Sequence, residues 1–469
     1  MDNRKNYSKK NKAKATSKAS ETRRLVLDIL MESESESVRF DLVLKNSLEK
    51  YDYADRQDKA FVSRLSRGCM QRRITLDYII DQYADTGKKV MKPVIRNILR
   101  MGVYQILFMD GVKDFAACNE SVALANEKGF KGLSGFVNGV LRTIVREKDS
   151  ISMPDRTKKL SEYRSVYYSL PYWMVRLLEK QFDDDTMDAM LEAFNESKGF
   201  SLRVNAASED NIKTVTDELE KAGAEYEISD YLPFMINVRG IDGVASLDCF
   251  NNGLVTVQDI SSALVSEIAG IKSGDHVLDM CAAPGGKATH AAIKAGQMGS
   301  VTACDISEEK LSLIYDNKER HNINNMEILL KDATVFEPEF EEKFDVVICD
   351  APCSGLGIMG RKPDIRYNVT FDNIKELAAL QKNILENAVK YVKKGGVLIF
   401  STCTLTVQEN MEGRDFILEK GMKAEGFYDI LSDGLKRDCD KASAEAGFMV
   451  LVPGKTKCDG FFISKYIKQ

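Results

Sequence analysis

Apolar residues in the first third of the chain recur at helical spacing. Arg24-Leu-Val-Leu-Asp-Ile-Leu30, Ala60-Phe-Val-Ser-Arg-Leu65 and the stretch from Val94 to Phe108 each place them at i, i+3 and i+4. Pro93 stands where it could open a helix at its first turn. The pattern predicts an all-α domain over residues 21–148. Residues 150–170 are charged and irregular and read as a linker entering a short helical stretch. The signal then becomes mixed: strands at Phe200–Val204, Met235–Val238 and Leu254–Val257, and a helix from Glu209 to Ala222. Linker helices and a small α+β unit are therefore expected over 149–255. From 256 to 469 the rhythm is β, α, β, α, with apolar strands at Val277–Met280, Val301–Asp305, Ile328–Leu330, Val346–Asp350 and Val397–Ser401. Amphipathic helices run from Glu308 to His321 and from Asn373 to Lys393. Such alternation predicts an α/β domain with a doubly wound, mainly parallel sheet. Sheets of this kind bind ligands at the carboxyl ends of their strands, beside the topological switch.

Composition narrows the class. With 44% hydrophobic and 29% charged residues the chain reads as an ordinary globular protein. No run of 18 apolar residues occurs, so no membrane span is expected. The first twenty residues are polar and lysine-rich and lack an apolar signal core, which points to the cytoplasm. The 10 cysteines are scattered without a disulfide framework or paired zinc spacing, and the 3 histidines supply metal sites and His-based triads poorly. No metal is expected. Net charge is −5, yet residues 1–24 hold nine Lys or Arg against Asp2 and Glu21. Residues 1–20 thus read as a disordered basic arm, either a solubilising tail or a phosphate contact.

The first candidate chemistry lies at a strand-to-helix turn. The strand Val277–Met280 runs into Cys281-Ala-Ala-Pro-Gly-Gly-Lys287, and a helix follows from Ala288. Glycines there allow close backbone approach, and a helix N-terminus offers free N–H groups. Gly-rich strand-to-helix turns also occur merely for tight packing, the lesser reading here. The spacing is neither G-x-G-x-x-G nor a phosphate loop, which favours a smaller adenosyl ligand over a nucleotide di- or triphosphate. Asp305 ends the second strand, where an acid usually holds ribose hydroxyls; Asp332 ends the third, within reach of an adenine edge; Asp350 ends the fourth. Singly, each aspartate could equally cap a helix or turn.

Two cysteines stand at the ends of neighbouring strands, Cys353 in Asp350-Ala-Pro-Cys-Ser-Gly355 and Cys403 in Ser401-Thr-Cys-Thr404. Cytosine C5 is too weak a nucleophile to take a methyl group unaided. A thiolate added to C6 turns the ring into an enamine whose C5 can attack a sulfonium methyl. The thiolate needs a neighbouring cation or helix N-terminus, and Arg361 and Lys362 are candidates. Cys69, Cys118, Cys249, Cys304 and Cys349 read instead as small buried hydrophobes.

Together, Cys281–Lys287, Asp350–Gly355, Arg361-Lys-Pro-Asp-Ile-Arg366 and Ser401-Thr-Cys403 resemble the RNA cytosine-C5 methyltransferases of the Nop2/Sun group. The helical region is similar to a NusB-type RNA-binding domain, most clearly at Phe136-Val-Asn-Gly-Val-Leu-Arg142. The combination resembles the Sun/RsmB type, bacterial methyltransferases of 16S ribosomal RNA. The resemblance implies a Rossmann-like methyltransferase domain and S-adenosylmethionine as cofactor. It implies that Cys403 is the nucleophile, that Cys353 assists release of the methylated base, and that Asp350 also bonds the cytosine. Cys281, Ala282, Ala283, Pro284, Gly285, Gly286, Lys287, Asp305, Asp332 and Asp350 would bind the cofactor, while Lys362 and Asp364 would shape the substrate side. The implied partner is 16S ribosomal RNA, the implied protein a monomer without membrane contact.

Three rivals remain. The same chemistry on transfer RNA would be separated by methyl mapping. A non-catalytic RNA-binding protein is disfavoured by retention of both cysteines and every cofactor position. A nicotinamide-dependent oxidoreductase is disfavoured by the missing G-x-G-x-x-G turn. Arg64, Arg67, Arg72 and Arg73 form a candidate RNA patch, although a solvated helix face explains them as well.

Overall fold

The computed structural model describes residues 20–34, 39–51, 55–84, 90–196, 199–206, 208–241 and 243–469. The predicted basic arm over 1–20 lies, except for Ser20, outside the described residues. The chain divides into two compact units. One is Met1–Lys180 with Lys362–Asn368, the other Gln181–Arg361 with Val369–Gln469.

The first unit is helical, as its apolar periodicity predicts. Helices cover 20–33, Phe40–Lys50, Arg56–Gln71, Arg73–Tyr83, Pro93–Phe108, Asp114–Glu127 and Ser134–Glu147. Pro93 occupies the first helical turn, and the Asp55 carboxylate caps its helix by accepting from the Asp58 N–H. Val62, Leu65, Leu76, Leu99, Val103 and Leu141 meet in a closed core.

The stretch read as irregular carries a helix, Leu160–Tyr167, and the short helical stretch expected beyond it is Tyr172–Leu178. Charge misled the sequence reading here, because Arg164 is buried and pairs with Glu179 at 3.1 Å instead of facing water. Residues 362–368 join this unit through the buried Arg366. Its guanidinium donates to the carbonyls of Gln71 at 2.8 Å, Tyr168 at 3.0 Å and Ser169 at 3.2 Å.

The second unit holds two sheets. The smaller contains β1 (Phe200–Val204), β2 (Glu225–Ile228), β3 (Met235–Arg239) and β4 (Val255–Val257), antiparallel in the order β2-β3-β1-β4. The edge strand β2 is missed by a hydrophobic pattern because it is largely exposed. A helix over Glu209–Lys221 covers this sheet, with Val215 and Leu219 against Leu202, Ile236 and Val238.

The larger sheet contains β5 (His276–Asp279), β6 (Ser300–Asp305), β7 (Met326–Leu330), β8 (Phe344–Asp350), β9 (Val392–Thr402), β10 (Met422–Ala424), β11 (Phe448–Leu451) and β12 (Phe461–Lys468). The order is β10-β12-β9-β8-β5-β6-β7, with β11 beside β12. Strands β5 to β9 pair in parallel, as predicted, and β10, β11 and β12 add an antiparallel margin. This margin has no α/β alternation to announce it, yet Phe462, Ile463 and Tyr466 of β12 are fully buried. The sheet is the predicted doubly wound α/β class. Its winding reverses at β5, which has β6 on one side and β8 on the other, and loops from those strand ends build the site. Among the described residues, no helix is long and apolar enough to cross a membrane.

Candidate active site

The turn after β5 brings backbone to the strand ends. Gly285 sits at φ +105°, a conformation side-chain-bearing residues rarely adopt, and an added Cβ would approach the Ile314 Cα at 3.3 Å. The helix Gly286–Ala295 starts immediately afterwards. Asp305 ends β6 nearly buried, accepting from the Ala283 N–H at 3.2 Å and from the Ile306 N–H at 2.9 Å. The Asp332 carboxylate accepts from the N–H and hydroxyl of Thr334, at 2.9 and 2.7 Å. Asp350 takes Lys287 Nζ on one oxygen and Ser401 Oγ on the other, each at 2.7 Å.

Asp279, at the end of β5, was not among the residues the sequence singled out. It is fully buried and neither carboxylate oxygen has a partner. Burial pushes its acid up to about 7, against the pull of Lys287 and with the push of Asp350 and Asp305. Burial would lower the Lys287 ammonium, but Asp350, Asp279 and Cys403 carry it above its ordinary value. Asp350 and Asp279 both act on the Lys287 ammonium, while Asp305 lies 3.5 Å from Lys310 and Asp332 ends the neighbouring strand. That donor set, with an orphaned buried carboxyl and a glycine approach, fits S-adenosylmethionine, whose sulfonium and ammonium are cations and whose ribose hydroxyls want acceptors.

The two cysteines meet. Asp350 and Ser401 are paired across β8 and β9, and the chains leaving them stay side by side. The Ala351 N–H donates to the Ser401 carbonyl at 3.0 Å, and the Gly357 N–H to the Cys403 carbonyl at 3.0 Å. Only glycine fits at 357, since a Cβ would lie 2.0 Å from the Gly460 carbonyl oxygen. Cys353 Sγ and Cys403 Sγ are 3.2 Å apart, both partly exposed. The contact with Cys403, then burial, drives the Cys353 thiol well above its ordinary range, so it stays protonated. Cys69, Cys118, Cys249, Cys304 and Cys349 are buried, as read from the sequence; burial lifts Cys304 to about 12.

Lys287, paired with Asp350 at 2.7 Å, also feels Cys403 electrostatically. Arg361, a candidate to assist the thiolate, is committed elsewhere: it donates to Asp459, to Asp259 at 2.9 Å and to the Gly199 carbonyl at 2.9 Å. Lys362 and Asp364 belong to the first unit and not to the unit of the cysteines. The Asp364 carboxylate is 7% exposed and accepts from the Phe40 N–H at 3.3 Å; burial raises its acid. Three of the four candidate patch arginines have partners in their own unit, Arg73 pairing with Glu34 at 3.6 Å. Arg64 and Arg72 donate to the carbonyls of Phe108 and Tyr167.

Arg203, on β1, is a residue that sequence reasoning missed. Its guanidinium is 1% exposed and donates to the Gly286 carbonyl at 2.7 Å, Gln258 at 2.5 Å, Asn205 at 2.9 Å, and Thr256 and Thr289 at 3.2 Å. It braces the Cys281–Lys287 turn from behind. In Phe200-Ser-Leu-Arg-Val204 the alternation puts Arg203 on the same face as Ser201, so nothing local signalled its burial. Among the described residues, no three His, Cys, Asp or Glu side chains gather as a metal site.

Residues 268–467 match the family model described as 16S rRNA methyltransferase RsmB/F. Residues 20–146 match the NusB family, and 170–241 the ferredoxin-like domain of RsmF/B-like methyltransferases. The chain is 32% identical to the "Probable ribosomal RNA small subunit methyltransferase B" of Bacillus subtilis (strain 168), over 96% of this chain and all (100%) of that one. It is 30% identical to the ribosomal RNA small subunit methyltransferase B of Escherichia coli O1:K1 / APEC, over 88% of this chain and 91% of that one. The crystal structure of PH0851 shares the fold, with a TM-score of 0.77 at 24% identity over 96% of this chain and 99% of that one. This chain belongs to the RsmB/F family of S-adenosylmethionine-dependent 16S rRNA methyltransferases.

Proposed function

We propose that this enzyme transfers a methyl group to C5 of one cytosine in 16S ribosomal RNA through a covalent bond between Cys403 and cytosine C6. The observation that carries the reading is the 3.2 Å approach of two thiols from adjacent strand ends, beside the Lys287–Asp350 pair. Chemistry at an exocyclic amine needs no thiol. A pyrimidine carbon does, because C5 gains nucleophilicity only when a nucleophile has added to C6.

S-adenosylmethionine supplies an electrophilic methyl on sulfur. The Cys281–Lys287 turn, Asp305, Asp332 and Asp350 would hold it, with Asp279 as a further acceptor beneath. Cys403, as thiolate, forms the bond to C6; the electron pair reaches C5, which takes the methyl. Loss of the C5 proton to solvent then expels the Cys403 thiolate and restores the aromatic ring. Cys353 serves this release, and Lys287 steadies the negative charge on Cys403 before attack. Asp350 has lone pairs left to bond the cytosine. The base reaches the pocket by leaving its stack. The names of the relatives support 16S ribosomal RNA over transfer RNA, and a ribosomal substrate is in keeping with work in the cytoplasm.

The test is a denaturing gel of the Cys353→Ala variant incubated with cofactor and 16S RNA. A slow-migrating protein–RNA band is expected, and it should vanish when Cys403→Ala is added. A variant that turns over freely, or a band that survives loss of Cys403, would refute the assignment.

A further inference from the structure

Beneath the two cysteines lies a carboxylate that no step above uses. Glu409 stands in the first turn of the helix Val407–Glu419 and is completely buried. From the loop of Cys353 it accepts the Ser354 N–H at 2.7 Å and the Ser354 hydroxyl at 2.5 Å. From the loop of Cys403 it accepts the hydroxyls of Thr406 at 2.7 Å and Thr404 at 3.3 Å. The hydroxyls of Ser354 and Thr404, each one residue beyond a cysteine, are themselves 2.7 Å apart. Gln381 reaches toward the same carboxylate at 3.5 Å and donates to the Pro352 carbonyl at 2.9 Å. Asn410 completes the frame, accepting from the Thr402 hydroxyl at 2.5 Å and donating to the Thr404 carbonyl at 3.0 Å. Cys403 is thus gripped on both sides, and Cys353 is tied to the same point.

A buried charge costs stability unless donors surround it, and ordinary helix capping would need only the Thr406 hydroxyl. Here the donors come from the two loops that carry the thiols. We propose that Glu409 is the positioning residue of the cysteine pair, setting the distance and facing of Cys353 and Cys403 by holding both of their loops on one carboxylate. This rests on the reading of the cysteines given above, and its test is arranged to be independent of that reading.

The test uses the full chain and diamide, an azo oxidant that takes two electrons and two protons from a thiol pair and leaves a disulfide. Peptide mapping follows closure of Cys353 onto Cys403 in the native protein, Glu409→Ala and Glu409→Gln. Calorimetric titration with S-adenosylhomocysteine checks that each variant keeps its cofactor site. With the carboxylate gone, closure should slow by about 10-fold or more and methyl transfer should fall by about 100-fold, the scale of an ångström's misplacement. Affinity for S-adenosylhomocysteine should hold. Glu409→Gln, whose amide oxygen still accepts from Ser354, should recover most of the closure rate; if Glu409→Ala fails to fold, this variant and Ser354→Ala carry the test. Closure at the native rate without the carboxylate overturns the proposal. Absence of C5 methylation by the native protein would sink the reading of the cysteines, while the closure rates would still judge Glu409.

Discussion

Cys353 and Cys403 come from different strand ends, fifty residues apart, and their sulfurs lie 3.2 Å from each other. Two thiols held this close can be joined by a small movement, since a disulfide needs about 2.05 Å between sulfurs. Oxidation with diamide should therefore inactivate the enzyme in step with formation of this one bridge, and dithiothreitol should restore it. Inactivation without the bridge in peptide maps would show that another cysteine is responsible.

Arg203 links the small sheet to the cofactor turn. Arg203→Met leaves the amide oxygen of Gln258 without its donor, at about 1–3 kcal/mol for a buried acceptor, and leaves the Gly286 carbonyl with the Thr289 hydroxyl at 3.1 Å as its side-chain donor. Calorimetry should show cofactor affinity lowered by about 10-fold, the equivalent of 1.4 kcal/mol, with RNA affinity unchanged. Arg203→Lys should fall between. Equal loss of RNA and cofactor binding would point to general unfolding instead.

Asp279 gives a pH signature. Its acid sits at about 7 in the fold against an ordinary 3.8, so the folded chain keeps a proton that the unfolded chain releases. Stability from this group is full below about pH 4, falls as pH rises to about 7, and is level above. Asp279→Asn removes that decline. Thermal midpoints at about pH 5 and about pH 8 should show the variant gaining on the native protein at the higher pH. A difference that does not change with pH would mean that Asp279 is ionised throughout.

Arg366 tests the first unit. Its guanidinium meets three carbonyl oxygens in a dry interior, so Arg366→Ala should cost about 2–4 kcal/mol of that unit's stability. Hydrogen exchange should report faster opening of the helices Arg56–Gln71 and Leu160–Tyr167. Unchanged protection there would contradict the anchoring role.

How much the sequence discloses depends on where chemistry sits in this fold. A parallel sheet delivers its strand ends to one edge, so Cys281–Lys287, Asp305, Asp332, Asp350, Cys353 and Cys403 could be placed by reading each strand and the turn after it. The residues that hold those groups were less legible. Arg203 reaches Gly286 across 83 positions of sequence, and no local pattern encodes such a contact. Glu409 did carry a signal, for Thr406-x-x-Glu409 has capping-box spacing; a box predicts a helix start, however, and not a brace between two loops. Arg361 looked free to assist a thiolate because the sequence hides Asp259 and Asp459, its partners in space. Arg164 misled in the same way, its charge suggesting solvent where Glu179 makes burial possible.

The most direct test of the central claim is methyl transfer from labelled S-adenosylmethionine to 16S RNA that lacks C5 methylation, with the site mapped at single-nucleotide resolution. The expected result is one labelled cytosine, methylated at C5, and no label with Cys403→Ala although that variant still binds cofactor. Label on another atom of the base, or full transfer without the Cys403 thiol, would contradict the account.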